Sequence, residues 1–118
     1  MRLRLLHNGN VNAANPHWHL WLDDDGRLLG EVIGRQSEFR CIQEFTQQLD
    51  KVETAALFRA AEQMRSEFSA RQLLPDDIYV EVREGGHPIF GFAVPQADQA
   101  RFRELFFEKF EKILEKYA

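Results

Sequence analysis

The sequence predicts an α+β fold in which a mainly antiparallel sheet carries two helices, in the order β-β-β-β-α-β-β-α. Apolar and polar residues alternate in several short segments before residue 50 and again between residues 78 and 94. Such alternation is typical of strands with one buried face. Two longer segments instead repeat apolar residues at helical spacing. Because 118 residues can enclose one core, we expect a single α+β domain over residues 1–118.

Composition and charge favour a globular chain and disfavour several classes of partner. Hydrophobic residues make up 44% and charged residues 29%, with 15 basic and 19 acidic residues and a net charge of −4. Because no basic cluster is present, we expect no binding to nucleic acid or to a membrane surface. The single Cys41 excludes an intramolecular disulfide. No signal peptide or membrane span is recognisable, so we expect a cytoplasmic protein; export without a classical signal is the alternative.

The first strand is predicted over residues 1–5, where apolar residues alternate with arginines. An asparagine-rich segment follows it. Asn8-Gly9 and Asn15-Pro16 are strong turn signals. The segment therefore forms either one long loop or a tight turn followed by a short strand.

The second strand, His17 to Leu22, and the third, Arg27 to Ile33, are predicted to form a hairpin. A three-residue loop with Gly26 in a left-handed conformation keeps their apolar residues on one face. This loop pairs Leu22 with Leu28, Trp18 with Val32, and His19 with Glu31. Its acidic run, residues 23–25, lacks the spacing of a calcium loop, so we interpret it as a solvated turn.

A fourth strand over residues 38–46 leads to a central helix from Asp50 to about Arg71. Asp50 followed by Glu53 resembles a capping box, and Pro75 terminates the segment. The helix has one apolar stripe, which consists of Leu57, Ala60, Ala61, Met64 and Phe68. The fourth strand is expected to point Phe39, Cys41 and Phe45 into the core.

The last two strands, residues 78–83 and 88–94, are predicted to form a hairpin around Gly85-Gly86. Pairing Glu84 with His87 predicts two faces. One carries Ile78, Val80, Val82, Ile89 and Ala93; the other carries Tyr79, Glu81, Arg83, Phe90 and Phe92.

The C-terminal helix is predicted from Ala97 to Tyr117. Its apolar residues spread over roughly 200° of the circumference, compared with about 100° for a surface helix. A helix of this kind must contact two partners. We expect the sheet to be one; the other is either the central helix or a second copy of the chain.

The sharpest local motif is His17-x-His19. Two histidines two residues apart on a strand point to the same side, which suits two ligands of one metal ion. His7, His87, Glu31 or Cys41 would have to complete such a site, and none stands at a recognisable spacing. The sequence favours the other interpretation, in which both histidines lie on a polar sheet face.

No motif points to catalysis. Cys41 lies between apolar neighbours, which favours a small buried side chain over a nucleophile. Phosphate-binding, dinucleotide-binding and serine-nucleophile motifs are absent from the sequence. We therefore predict no cofactor, and an enzyme is the minority interpretation.

The surplus of aromatic residues, with ten Phe, two Trp and two Tyr, favours either a partner surface or a large core. The predicted partner-binding residues are Trp21, Tyr79, Phe90, Phe92, Phe106, Phe107, Phe110 and Leu114. The function predicted is a small acidic protein-binding module, inhibitor- or immunity-like or chaperone-like, whose partner is another protein or, through the C-terminal helix, a second copy. The alternatives are a metal-binding protein or metal-dependent enzyme using His17 and His19, and a small-ligand pocket lined by Trp21, Phe90 and Phe92.

Overall fold

The computed structural model describes residues 1–7, 17–36, 39–68 and 77–116; within these ranges, the side chains of residues 17, 33–36, 39–42, 96 and 105 lie outside the description. The strands are β1 (Arg2–His7), β2 (His17–Asp23), β3 (Arg27–Gln36), β4 (Phe39–Gln48), β5 (Ile78–Glu84) and β6 (His87–Val94). The helices are α1 (Lys51–Met64), α2 (Gln99–Phe102) and α3 (Glu108–Glu115). A 3₁₀ turn, Gln96–Asp98, precedes α2, and a π-helical segment, Arg103–Phe107, joins α2 to α3. We call the stretch from α2 to α3 the C-terminal helix. The predicted α+β fold and its element order are confirmed.

The six strands form one sheet in the order β4-β3-β2-β1-β5-β6. All neighbouring strands run antiparallel. Strands β1 to β4 form a meander, and the β5–β6 hairpin is added on the other side of β1. This topology places β1 between β2 and β5, so side chains from three separate parts of the sequence become neighbours.

The first hairpin has the predicted register. Gly26 adopts a φ of 93°, and its N–H donates to the carbonyl of Asp23 at 2.9 Å. Leu22 lies opposite Leu28, Trp18 opposite Val32 and His19 opposite Glu31. The apolar members of these pairs are buried on the same face of the sheet, which we call the core face.

The register predicted for the second hairpin is wrong beyond its first two pairs. Glu84 pairs with His87 and Arg83 with Pro88, but a bulge then places Val82 opposite Phe90. Because Pro88 has no N–H to donate to the ladder, a bulge at this point sacrifices little hydrogen bonding. Ile89 becomes the extra residue and is 47% exposed.

The bulge exchanges the two faces that the sequence pattern assigned to β6. Phe90 and Phe92 lie on the core face with Val82 and Val80, and Phe92 is fully buried. Ala93 pairs with Tyr79 on the opposite face. The assignment of both phenylalanines to the face of Tyr79 is therefore corrected.

Helix α1 begins as predicted and ends earlier. The Asp50 carboxylate accepts a hydrogen bond from the backbone N–H of Glu53 at 2.7 Å, which is the expected N-cap. The helix ends at Met64, whose carbonyl accepts from the N–H of Phe68 in a turn. The predicted stop around Pro75 lies outside the described residues. The stripe is confirmed: Leu57, Ala61, Met64 and Phe68 are buried, and Ala60 packs partly buried beside them.

The C-terminal helix packs on the core face and beside α1. Phe107 stacks on Trp18 of the sheet with ring centroids 5.0 Å apart, and Lys109 pairs with Glu53 of α1. Phe106 and Phe107, at the end of the π-helical segment, are both buried although they are adjacent in sequence. The second partner of this helix is thus the central helix.

These contacts explain most of the aromatic surplus. Four residues that the sequence pattern assigned to a partner surface, Phe106, Phe107, Phe110 and Leu114, are buried in the core of the chain itself. They offer no surface to a second copy in this structure. No helix within the described ranges is both long enough and apolar enough to cross a bilayer.

Candidate functional site: the open face of the sheet

The described helices cover only one face of the sheet. The buried residues of α1 and of the C-terminal helix belong to one cluster with the core-face residues of the strands. No described helix lies on the other face, which we call the open face. The strand registers place these residues on the open face: Arg2, Arg4, Leu6, His19, Trp21, Asp23, Leu29, Glu31, Glu44, Thr46, Tyr79, Glu81 and Arg83.

Side chains on the open face form rows that cross the strands. One row runs from Glu81 through Arg4, Trp21 and Leu29 to Thr46. The next row lies two residues away along each strand. It runs through Tyr79, Leu6, His19, Glu31 and Glu44. Directly opposite residues on such a face have Cβ atoms about 5 Å apart, so each row is a line of contacting side chains.

Arg4 and His19 form the centre of this arrangement. The Nε–H of Arg4 donates to Nε2 of His19 at 2.7 Å, so this imidazole nitrogen must be unprotonated. Burial lowers the pKa of His19 to about 4, and the charge of Arg4 acts in the same direction. The ring of Trp21 lies against the imidazole, with centroids 3.7 Å apart. His19 is therefore a neutral acceptor that fixes the guanidinium of Arg4.

Glu81 is the buried anion of the open face. It is 6% exposed and accepts from Arg83 Nη1 at 2.7 Å and from the Tyr79 hydroxyl at 3.2 Å. Arg4 Nη1 lies 3.8 Å from the same carboxylate. Burial raises the pKa of Tyr79, and the neighbouring Glu81 raises it further. Two arginines thus share one carboxylate, which leaves an excess positive charge over β1 and β5.

The opposite side of the open face is acidic. Glu31 and Glu44 lie directly across from each other on β3 and β4. Like charges in this relation destabilise a strand pair, and the described residues provide neither of them with a hydrogen bond or an ion pair. The open face therefore carries arginines over β1 and β5 and a facing pair of glutamates over β3 and β4, with one further arginine, Arg27, at the start of β3.

An open depression of roughly 650 Å³ adjoins Arg4, His19, Trp21 and Arg83. Its rim includes the two hairpin turns, residues 23–25 and Gly85-Gly86. Two ion pairs neutralise the rim: Arg2 with Asp23 and the Met1 amine with Asp24, both at 2.7 Å. A hydrogen bond from the amine lowers the pKa of the Asp24 carboxyl.

The structure divides the predicted site residues into two groups. Trp21 and Tyr79 lie on the open face, both half-buried. Phe90 and Phe92 lie on the core face, where the Arg65 guanidinium stands 4.6 Å from the Phe90 ring centre. Because Trp21 is on the other side of the sheet, the predicted small-ligand pocket lined by all three rings is wrong.

Arg4, Glu81 and Arg83 were not predicted as site residues. Arg4 was recognised only as a polar position on an alternating strand, and Glu81 and Arg83 only as the polar residues beside the aromatic residues on one face of the second hairpin. Nothing in the sequence showed that β1 pairs with both β2 and β5, and this pairing is what brings the three charges to His19 and Trp21.

The metal-site prediction receives no support from the described residues. His17 lies on β2, but its side chain is outside the description, as is that of Cys41 on β4. His19 Nε2 is engaged by a cationic donor, which competes with a metal ion for the same lone pair. Within the described ranges, no group of three His, Cys, Asp or Glu residues is placed to hold a metal. Metal binding stays a prediction.

Comparison with known proteins leaves the open face to be interpreted from its own geometry. The chain matches no family model, and no curated protein is significantly similar to it in sequence.

Proposed function

We propose that this protein is a small binding module that recognises another protein through the open face of its sheet and performs no catalysis. One observation carries the proposal: a sheet face that no described helix covers bears an ordered set of aromatic and charged side chains. Trp21 and Tyr79 supply the half-buried rings, and Arg4, His19 and Glu81 hold one another in place.

The composition of the open face fits recognition better than chemistry. Aromatic residues and arginines are enriched in protein interfaces and in their hot spots. His19 accepts from Arg4 and is neutral, and Glu81 accepts from two neighbours. Because its pKa is lowered to about 4, His19 is not poised to take up a proton at neutral pH.

The fixed geometry favours a dedicated partner, as in an inhibitor or immunity protein, over a chaperone-like binder of many segments. Arg4 loses little conformational freedom on binding, since its guanidinium is already oriented. We place the module in the cytoplasm as part of this proposal, on the sequence argument alone.

Capture from a lysate of the host, with matched variants, tests this function. Leu29→Arg and Thr46→Arg alter the open face, whereas Ala56→Arg adds the same charge to the exposed side of α1. We expect a host protein that binds the unaltered chain and the Ala56 variant and is lost with both open-face variants. Capture that survives the open-face changes, or that fails only with Ala56→Arg, would refute the proposal. So would the capture of no protein.

A further inference from the structure

The polarity of the open face matches that of a second, inverted copy of itself. Arg4 is 30% exposed through its side chain, and its Nη2 group makes no hydrogen bond to any described residue. Glu31 lies two strands away from Arg4, and Glu44 lies three strands away. The two glutamates repel each other, and no described residue supplies a counter-charge. Arg4 and Arg83 thus share one carboxylate and keep an excess positive charge, whereas Glu31 and Glu44 have no described cation beside them.

The strand registers show that one two-fold rotation can pair both arginines of one copy with the two glutamates of another. Glu31 lies two strands away from Arg4 and one row further along the strands. Glu44 lies four strands away from Arg83 and two rows further along the strands, in the same direction. The line from Arg4 to Glu31 and the line from Arg83 to Glu44 are therefore parallel. With strands about 4.8 Å apart and rows roughly 6.7 Å apart, the midpoints of the two lines fall within about 4 Å of each other.

Those midpoints lie on β2, at Trp21 and between Trp21 and His19. A two-fold axis in the plane of the interface, passing beside Trp21, therefore brings Arg4 over the Glu31 of a facing copy and Arg83 over its Glu44. Two-fold pairing of identical patches is the commonest form of protein self-association. Sheets packed face to face stand about 10 Å apart, which leaves room for side chains of this length.

We propose that a second copy of this chain occupies the open face, with Arg4 pairing with Glu31 across a two-fold axis beside Trp21. This inference rests on the proposed function in one respect, the use of the open face as a binding surface. It adds that the self-paired form covers this surface, so a foreign partner has to displace the second copy.

Charge reversal in separate chains tests the pairing, with mass in solution as the measurement. We expect the unaltered chain to be a dimer that dissociates on dilution and at high salt. Glu31→Arg places like charges at two symmetry-related contacts and should weaken self-association by more than about tenfold. Arg4→Glu should do the same. Arg59→Glu, on the exposed surface of α1, is the matched control and should leave the dimer unchanged.

Mixing the two weakened variants distinguishes this geometry from a general charge effect. In a mixed dimer, one contact joins the two substituted positions, which carry opposite charges, and the other contact keeps Arg4 with Glu31. We therefore expect equal amounts of the Arg4→Glu and Glu31→Arg chains to form a heterodimer. Arg4→Glu also loses the bond to His19 and stands near Glu81, so its fold is checked by circular dichroism. If it is unfolded, Arg4→Gln and Glu44→Arg replace it as dimer-weakening variants.

The inference is overturned if the unaltered chain is a monomer at every soluble concentration, or if its dimer withstands Glu31→Arg. It is also overturned if the folded reversed pair fails to associate. A monomeric chain that still captures a host protein through Leu29 and Thr46 would contradict the self-pairing alone. A charge-dependent dimer whose host capture ignores those residues would contradict only the proposed function.

Discussion

Arg4 and His19 form a hydrogen bond between neighbouring strands in which the guanidinium Nε–H donates to the imidazole Nε2 at 2.7 Å. The bond requires a neutral histidine, since a protonated ring has no lone pair to accept it. It also orients the arginine toward the carboxylate of Glu81 on the next strand. A neutral His19 thus fixes the guanidinium of Arg4 on the open face.

The first prediction concerns the pH dependence of stability. Burial lowers the pKa of His19 to about 4 from an ordinary value of 6.5, so the unfolded chain takes up the proton first as the pH falls. The contribution of His19 to stability is complete above pH 6.5 and is lost between pH 6.5 and about 4. Urea unfolding across this range should show a steeper loss for the unaltered protein than for His19→Gln. Parallel profiles would contradict a His19 that is buried and neutral in the folded chain.

A second prediction tests the bulge in the β5–β6 hairpin. Phe92 is fully buried and Ile89 is 47% exposed. We expect Phe92→Ala to lower the free energy of unfolding by about 3–5 kcal/mol and Ile89→Thr to change it by no more than about 0.5 kcal/mol. Chemical denaturation measures both. A regular hairpin, with Ile89 inside, would give the reverse order.

Gly30 and Phe45 provide a third prediction. They face each other on β3 and β4, and a Cβ added to Gly30 would overlap the Phe45 ring. We expect Gly30→Ala to destabilise the fold by about 1–3 kcal/mol through overpacking. Combining it with Phe45→Leu should relieve the clash, so the double variant is more stable than the sum of the single changes predicts. Strict additivity would show that the ring does not lie over the glycine.

The N-cap of α1 gives a fourth prediction. Asp50→Ala removes the acceptor for the Glu53 N–H and should cost about 0.5–2 kcal/mol in thermal or chemical unfolding. Asp50→Asn keeps an acceptor oxygen at the same place and serves as the control. Equal losses in both variants would assign the effect to the charge of the aspartate instead of to the hydrogen bond.

Local patterns in the sequence predicted most of the fold. Alternation located all six strands, and the Asp-Gly loop set the first hairpin because only one register matches Leu22 with Leu28. The register predicted for the second hairpin is wrong because of one extra residue. Pro88 marked a weak point in the ladder, but alternation alone did not show that Ile89 would be the residue left out.

The candidate site was harder to predict, because it depends on pairing between distant strands. The sequence placed Trp21 and His19 on one face of the first hairpin and Tyr79 on one face of the second. That Arg4 lies between them follows only from β1 joining the two hairpins, and residue periodicity carries no information about this long-range pairing. For the same reason, the sequence allowed Phe106 and Phe107 to be assigned equally to a partner surface or to the core, and the structure shows both to be buried.

The most direct test of a protein-covered open face is site-specific photocrosslinking in host cells. A photoreactive amino acid replaces Thr46, exposed on the open face, or Ala56, exposed on α1, and adducts are identified by mass spectrometry. We expect adducts from position 46, to a second copy or to a foreign protein, and none from position 56. Adducts confined to position 56, or none at either position, would contradict the central claim that the open face is the binding surface.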